Sequence, residues 1–368
     1  MNDAKRVIIE KAQIVTPFGN TEETTDSLYA EKSAVVAENY KGMPVSIAHI
    51  PENYPKTTKE IIKYYKDYKQ YDSPKTLFIY SVAKGDINAL IDENYTEYCA
   101  VLEKQAVAVA DGLGLSSCKI TVSCNACAAG AAAIDTARLF LKECVFETVI
   151  IFGFEQISEF TVTGFFALQA ISPSGARPFD KNRNGMTLGE GSGLCVLKYA
   201  KPKVGDVCIL GSGASNDANH RTGPSKTGDG LALAIERALK SASLGAGGIS
   251  AIKCHGTATS YNDAMEAKAL KLVFGDFIPP AVSLKGAIGH LSGAGSMIET
   301  VIAAEMLKNA KLAPTIGFEE VGANEEKIPV SSECQAIKGD TLLCLSAGFG
   351  GINQALILRR IDAKFTEI

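Results

Sequence analysis

The feature of this sequence that most constrains its fold is an alternation in which glycine-punctuated, strand-like runs are separated by Ala-rich amphipathic segments. That order implies an α/β protein with mostly parallel strands, because parallel neighbours need a crossover between them. Inside the alternation lies an internal repeat. Cys127 opens CAAGAAAIDT and His290 opens HLSGAGSMIET, each three residues ahead of a Gly-Ala pair. Each leads into an expected helix, 127–143 and 291–308. A strand and turn follow after different intervals, TVIIFGFE from Thr148 and TLLCLSAGFG from Thr341. Two similar α/β halves, 1–202 and 203–368, would bring the two helix starts face to face. Chance recurrence of Gly-Ala helices is the competing account. The stretch 37–114 is less regular. It carries a Lys/Tyr-rich helix, TTKEIIKYYKDYKQY, and apolar periodicity that predicts two helices near 75–90 and 96–112. We read it as an excursion of the first half that covers the core and helps form a dimer.

Bulk properties narrow the function. The 46% hydrophobic and 21% charged content suit a globular protein with a sizeable core. A net charge of −4 with no basic half or tail argues against nucleic-acid binding. The opening MNDAKRVIIEKAQIVTPFGN reads as a strand and not as a signal peptide. No run approaches the roughly eighteen apolar residues of a membrane span, so the expectation is a cytoplasmic protein without a membrane partner. Ten cysteines without a secretory signal do not argue for disulfides. Cys124 and Cys127 form a lone CxxC with no second pair or nearby histidines to complete a zinc set, so no metal is expected.

Few residues are placed for chemistry. Cys127 follows the strand-like CKITV and a short turn and precedes a small-residue helix. A helix start favours a thiolate, and Ala126, Ala128, Ala129 and Gly130 leave room for a bulky substrate. Most single cysteines are buried structural thiols, which is the plain alternative. Of four histidines, His255 in IKCHGTATS and His290 in SLKGAIGHLSGAG both sit at strand-to-helix turns among glycines and small residues, an arrangement that suits a site. His220 in SNDANHRTG is a weaker candidate, and His49 looks incidental.

The blocks NACAAGAAAID, RPFDKNRNGMTLGEGSG, CHGTATSYNDAMEAKAL, LKGAIGHLSGAG and SAGFGGINQALIL, in that order, resemble the signature blocks of elongating β-ketoacyl-acyl carrier protein synthases. The resemblance runs from about Arg6 to Arg360 and is dense after Ile120. It implies a thiolase-like fold, with two similar α/β halves in a layered αβαβα core. It also implies an acyltransferase that condenses an acyl group on Cys127 with a malonyl unit on acyl carrier protein, with loss of carbon dioxide. Cys127, His255 and His290 would form the triad. Lys285 would polarise it and Glu266 brace it. Thr257 and Thr259 would hold the phosphopantetheine arm. The Phe349 N–H would join that of Cys127 in an oxyanion hole, with the Phe349 ring as gate. Condensing enzymes that start from coenzyme A esters place Asn at the second histidine position, so His290 points to elongation.

No metal or redox cofactor is implied, because the substrates ride on the carrier's phosphopantetheine. The implied partners are acyl carrier protein and a second synthase-like subunit, identical or related. Lys59, Lys63 and Lys66 fall on one helical face and, with Arg183, are candidates for docking an acidic carrier; a solvated face is the plain alternative. Ala347, Ile352 and a shortened stretch before Cys127 depart from the family pattern around the acyl pocket. They suggest an unusual chain, from fatty acid or type II polyketide or polyene synthesis, aryl polyene pigments included. A silent chain-length-factor subunit is disfavoured because Cys127, His255, His290 and Lys285 are all present. A coenzyme A-dependent thiolase type is disfavoured by motif order and His290. Nothing recommends a plain binding module.

Overall fold

A computed structural model of the chain describes residues 5–65, 68–87, 101–323 and 325–362. Its main sheet has ten strands among the described residues. In spatial order they are Ala281–Val282, Ala251–Lys253, Thr341–Gly348, Ile352–Arg360, Val207–Asn216, Arg6–Val15, Gly191–Ala200, Thr148–Glu155, Thr76–Ser81 and Lys119–Ser123. The five strands before residue 202 and the five after it follow the same order and directions. In each set the third, second and fourth strands of the chain are parallel neighbours, and the fifth and first add on antiparallel. The two sets meet where Ile8 pairs with Cys208.

Alternation along the strands assigns the layers. In Thr148–Glu155, Val149 and Ile151 pack on a central core, whereas Ile150, Phe152 and Phe154 pack on an outer one. In Thr341–Gly348, Leu342 and Cys344 face the same central core, and Leu343, Leu345 and Ala347 face a third. The central layer is the helix pair Ala129–Lys142 and Ser292–Lys308, which contributes Ala133, Ile134, Ala294, Met297 and Ile298. Helices Thr58–Tyr64 and Leu102–Gly112 cover one outside, and Asp229–Ala242 and Ser260–Phe274 the other. The layering is therefore αβαβα, the thiolase-like arrangement. Most strands of the sheet are covered on both faces, which explains their continuous apolar runs, whereas the edge strand Lys119–Ser123 leaves Lys119 and Thr121 exposed. Gly130 makes the central packing possible: a Cβ there would stand 2.4 Å from the Met297 backbone nitrogen.

The expected helix near 75–90 is not present. Thr76–Ser81 is a wholly buried strand of the main sheet, lying between Thr148–Glu155 and Lys119–Ser123. TLFIYS is apolar on both sides, and for such a short run periodicity cannot separate strand from helix. Its β-branched and aromatic content was the better guide. The stretch 37–114 thus carries a core strand as well as covering elements. The second expected helix is present as Leu102–Gly112, with 88–100 outside the described residues. The Lys/Tyr-rich helix is short, Thr58–Tyr64, and a separate 3-10 turn follows at Lys69–Tyr71. Among the described residues no helix is long and apolar enough to cross a membrane.

Candidate active site

The parallel strands Thr76–Ser81, Lys119–Ser123 and Thr148–Glu155 end side by side, and it is beyond such carboxyl ends that α/β sheets bind ligands. Cys127 lies just past Ser123, in the 3-10 turn Ala126–Ala128 that runs into the central helix. The Ser123 hydroxyl donates to the Ala129 carbonyl at 2.8 Å and locks the turn. Ala126 has φ +48°, a left-handed geometry uncommon without glycine, at the residue before the thiol.

The second set of strands supplies the histidines. His255 follows Ala251–Lys253, and its turn is held by Glu266, which accepts the N–H of His255 at 2.6 Å and of Gly256 at 2.8 Å. His290 precedes helix Ser292–Lys308, its N–H bonded to the Thr187 carbonyl at 2.7 Å. The two imidazoles stand edge to face, centroids 5.5 Å apart. Cys127, His255, His290, Thr257, Thr259 and Phe349 line one cavity of about 410 Å³. The Thr257 and Thr259 hydroxyls are 2.9 Å apart. Gly348 packs on the Cys127 turn so closely that a Cβ would lie 3.1 Å from the Asn125 carbonyl oxygen and 3.4 Å from the Cys127 nitrogen. Phe349 is therefore the next residue along from the Cys127 turn. Gly350 and Gly351 follow it at φ +88° and +76°, and the Phe165 ring sits 5.6 Å from that of Phe349. Phe165 and the small Ala347 both line the cavity.

Beneath the cavity lies a cluster of charged side chains. Lys285 Nζ donates to the His255 carbonyl at 2.6 Å and to Glu299 at 2.7 Å. The other Glu299 oxygen accepts from Lys253 Nζ at 2.7 Å. Nearby, Glu155 accepts the N–H groups of Ala83 and Gly293 and pairs with Lys84 at 2.6 Å. Neither Glu299, Lys253 nor Glu155 stood out in the sequence. The signal available was a lone acid inside the apolar run SMIETVIAA and a lone lysine in the strand AIKC.

Burial sets the protonation states. It pushes the Cys127 thiol up to about 11, with Lys285 pulling the other way. The expected resting thiolate is therefore corrected to a thiol: desolvation outweighs the helix start. Burial, and then the Lys285 charge, hold His255 well below the usual imidazole range and His290 down to about 3, so both rings are neutral at pH 7. Burial also lifts Glu266 to about 7 against its two amide donors.

The docking candidates separate. Lys59 and Lys63 are exposed on helix Thr58–Tyr64, away from the cavity lining, and Lys66 lies outside the described residues. Arg183 is withdrawn as a docking residue. It is buried, and both its terminal nitrogens are taken by Glu325, at 2.6 and 2.7 Å. His220 lines the cavity, its Nδ1 accepting the Gly223 N–H at 3.0 Å. His49 lies between Glu38 and Glu190 at the surface.

Two family models match in tandem: the N-terminal domain of β-ketoacyl synthase over residues 104–202 and its C-terminal domain over 207–319. The 3-oxoacyl-[acyl-carrier-protein] synthase 2 of Coxiella burnetii is 34% identical over 213 residues, 54% of this chain and 51% of that protein. The chain thus spans about half the length of that curated relative. A β-ketoacyl synthase of Burkholderia phymatum has the same fold with a TM-score of 0.86 at 26% identity, covering 97% of this chain and 100% of that one. The ishigamide ketosynthase/chain length factor is similar in fold, with a TM-score of 0.84 at 22% identity, covering 97% and 100%. With these matches running through both halves and across the motifs that build the cavity, the chain belongs to the β-ketoacyl synthase family.

Proposed function

We propose that this chain is a decarboxylating β-ketoacyl synthase that condenses an acyl group on Cys127 with malonyl-acyl carrier protein. One observation carries the reading: a thiol from one half of the fold and two neutral imidazoles from the other line a single cavity. Sulfur of Cys127 attacks the acyl thioester, and its proton leaves with the departing phosphopantetheine thiol. The N–H groups of Cys127 and Phe349 receive the tetrahedral oxyanion, a donor of this kind contributing about 3–4 kcal/mol. In the second half-reaction the malonyl C–C bond breaks, releasing carbon dioxide and leaving an enolate. His255 and His290 donate hydrogen bonds to its oxygen, which neutral rings can do without prior loss of a proton. The enolate carbon attacks the acyl-Cys127 carbonyl and the C–S bond breaks. The products are β-ketoacyl-carrier protein and free Cys127.

Thr257 and Thr259 are the proposed contacts of the phosphopantetheine arm, and Glu266 positions the His255 turn. Halves 1–202 and 203–368 each supply one side of the site. The site is built from side chains and backbone donors, with no cofactor of its own, and the protein works in the cytoplasm. A second synthase-like subunit, identical or related, is the proposed partner. The strand Lys119–Ser123 supports that reading: among the described residues it is the last strand of the sheet, with Lys119 and Thr121 exposed and one ladder edge without a partner strand.

The test is intact-mass analysis after incubation with acyl-carrier protein, then with malonyl-carrier protein. Cys127 should gain one acyl group, and β-ketoacyl product should follow. Cys127→Ala should abolish both, while Cys124→Ala, at the exposed neighbour, should leave most activity. Failure of Cys127 to acylate would refute the reading, and acylation without product would reduce the chain to an acyl-binding subunit.

A further inference from the structure

Among the described residues two lysines are buried, Lys285 and Lys253, and the chemistry above assigns neither a role. Lys253 lies two residues before His255, with none of its side chain exposed. Its Nζ donates to Glu299 at 2.7 Å and to the Leu345 carbonyl at 2.7 Å. Glu299 shares its other oxygen with Lys285 at 2.7 Å. One carboxylate therefore stands between two ammonium groups. Burial opposes the Glu299 charge, yet the two lysines hold its pKa at about 2, so the acid stays ionised. Burial likewise opposes the Lys253 charge, and Glu299 outweighs it, leaving Lys253 above its ordinary value. Burial, and then the Lys253 charge, put Lys285 below its ordinary value, with Glu299 opposing both. With both lysines protonated, the cluster carries a net charge of one positive unit in a region sealed from water.

A buried ammonium is costly, and an apolar side chain of the same length would fill this space at lower cost. Three of the residues that line the cavity, His255, His290 and Phe349, lie on segments that touch the cluster. Lys253 leads to His255, Lys285 leads to His290, Glu299 lies on the helix after His290, and Leu345 lies on the strand that ends beside Phe349. The remaining charges around Cys127 are Glu155 and Lys84, which pair with each other. Around Lys253, the other titratable groups are Glu266, Cys344, Cys254, His255 and His290, and, after burial and the Lys285 charge, its own charge lowers both histidines directly.

We propose that Lys253 is a positioning residue: it balances Glu299, so that the Lys285 charge stays uncancelled beneath Cys127, His255 and His290. Without Lys253, Lys285 and Glu299 form a neutral pair and the cavity loses its net positive field. That field favours each anion of the cycle, namely the Cys127 thiolate, the tetrahedral oxyanion and the enolate. Its use in condensation rests on the ketosynthase reading. Its effect on the Cys127 thiol does not.

The experiment measures the rate of Cys127 alkylation by iodoacetamide on the full chain from pH 7 to 9, by peptide mass mapping, with exposed Cys124 as internal reference. A unit charge a few side chains away, at an effective dielectric of about 20, changes a thiolate population on the order of tenfold. Lys253→Met should therefore slow Cys127 alkylation about tenfold across the pH range and leave Cys124 unchanged. Lys253→Arg, which keeps the charge, should stay within about threefold of wild type. If the Met variant does not fold, Lys253→Gln removes the charge while keeping a donor and is read the same way. Wild-type alkylation rates in the uncharged variants would overturn the inference, as would an Arg variant as slow as Met, which would mark a purely structural role. Failure of the ketosynthase reading would appear elsewhere, as absence of β-ketoacyl product from the wild-type chain.

Discussion

Gly130→Ala tests whether the two central helices set the site. Gly130 is three residues after Cys127, and an added Cβ would stand 2.4 Å from Met297 N, 2.7 Å from Met297 Cβ and 2.9 Å from Ser296 Oγ. The nearest of these atoms is backbone, so no rotamer change relieves the clash. Ordinary contact begins near 3.4 Å, so the helices must part by about 1 Å (3.4 − 2.4). That separation also breaks the hydrogen bond from Ala131 N to Ser296 Oγ, 2.9 Å long. Overpacking of this kind costs about 1–3 kcal/mol and a lost buried hydrogen bond about 1 more, while alanine's better helix propensity returns up to about 1. The expected net loss is about 2–3 kcal/mol, read from urea denaturation midpoints. Because the thiol and His290 stand at the starts of the two helices, a 1 Å displacement should also slow condensation on the order of a hundredfold. Gly164→Ala is the control: it lies in helix Glu159–Ala167 with nothing within 4 Å of its added Cβ, and should be neutral or slightly stabilising. If Gly130→Ala unfolds at the wild-type midpoint and condenses at the wild-type rate, the close approach of the helices is not what holds the site.

Acid should weaken the fold through the neutral histidines. A His with a folded pKa below its unfolded value stabilises the fold above about pH 6.5 and loses that stability as pH falls towards the folded value, here about 3 for His290. The stability gap between wild type and His290→Asn should therefore shift by about 2 kcal/mol against wild type from pH 6.5 to 4.5, and parallel curves would contradict the assignment. Glu266 runs the opposite way, because its raised pKa of about 7 makes the folded state bind the proton more tightly between about pH 4.5 and 7; Glu266→Gln should steepen the acid loss in denaturation curves. His255→Ala and His290→Ala should slow decarboxylation of malonyl-carrier protein more than acylation of Cys127 in single-turnover assays, and native decarboxylation in either would withdraw that histidine's role. Lys59→Glu with Lys63→Glu should raise the carrier-protein KM without slowing acylation by a small thioester, whereas an unchanged KM would leave them a solvated face. Finally, because Ala347 and the shortened stretch before Cys127 leave room near the Phe349 gate, Cys127 should accept polyenoyl or aryl-enoyl carriers at least as fast as saturated ones in competition; refilling of that room by Phe165, 5.6 Å from Phe349, is the competing account, and a clear preference for the saturated chain would end the idea.

What was legible in the sequence was local. Cys127 and His255 each follow a strand end and precede small residues, and such turns can be read within a dozen positions. His290 instead follows the short helix Lys285–Ile288, where the sequence reads as strand-like. The alternation of strands and helices is legible for the same local reason. What failed was either ambiguous locally or long-range. TLFIYS satisfies helix and strand patterns alike until its neighbours on the sheet are known. Arg183 looked like a surface cation because Glu325 lies 142 residues away. Lys253 and Glu299 are 46 residues apart and only the fold shows that they meet.

The state of the thiol is the most instructive of these differences, because two correct local effects oppose one another. A helix start does favour a thiolate, by up to about 2 kcal/mol in partly buried geometry. Cys127, however, is only 8% exposed, and desolvation of a thiolate there costs more than the dipole returns. The balance leaves a thiol with a pKa of about 11 facing imidazoles that are neutral for the same reason, burial. A permanent thiolate beside a permanent imidazolium is therefore not the resting state. On the proposed mechanism the proton moves only when an acyl group is present to receive the sulfur, and the backbone N–H groups of Cys127 and Phe349 are the proposed acceptors of the charge then formed. The same burial of Cys127, His255 and His290 that would shield an enolate on the proposed pathway also keeps these groups uncharged between turnovers.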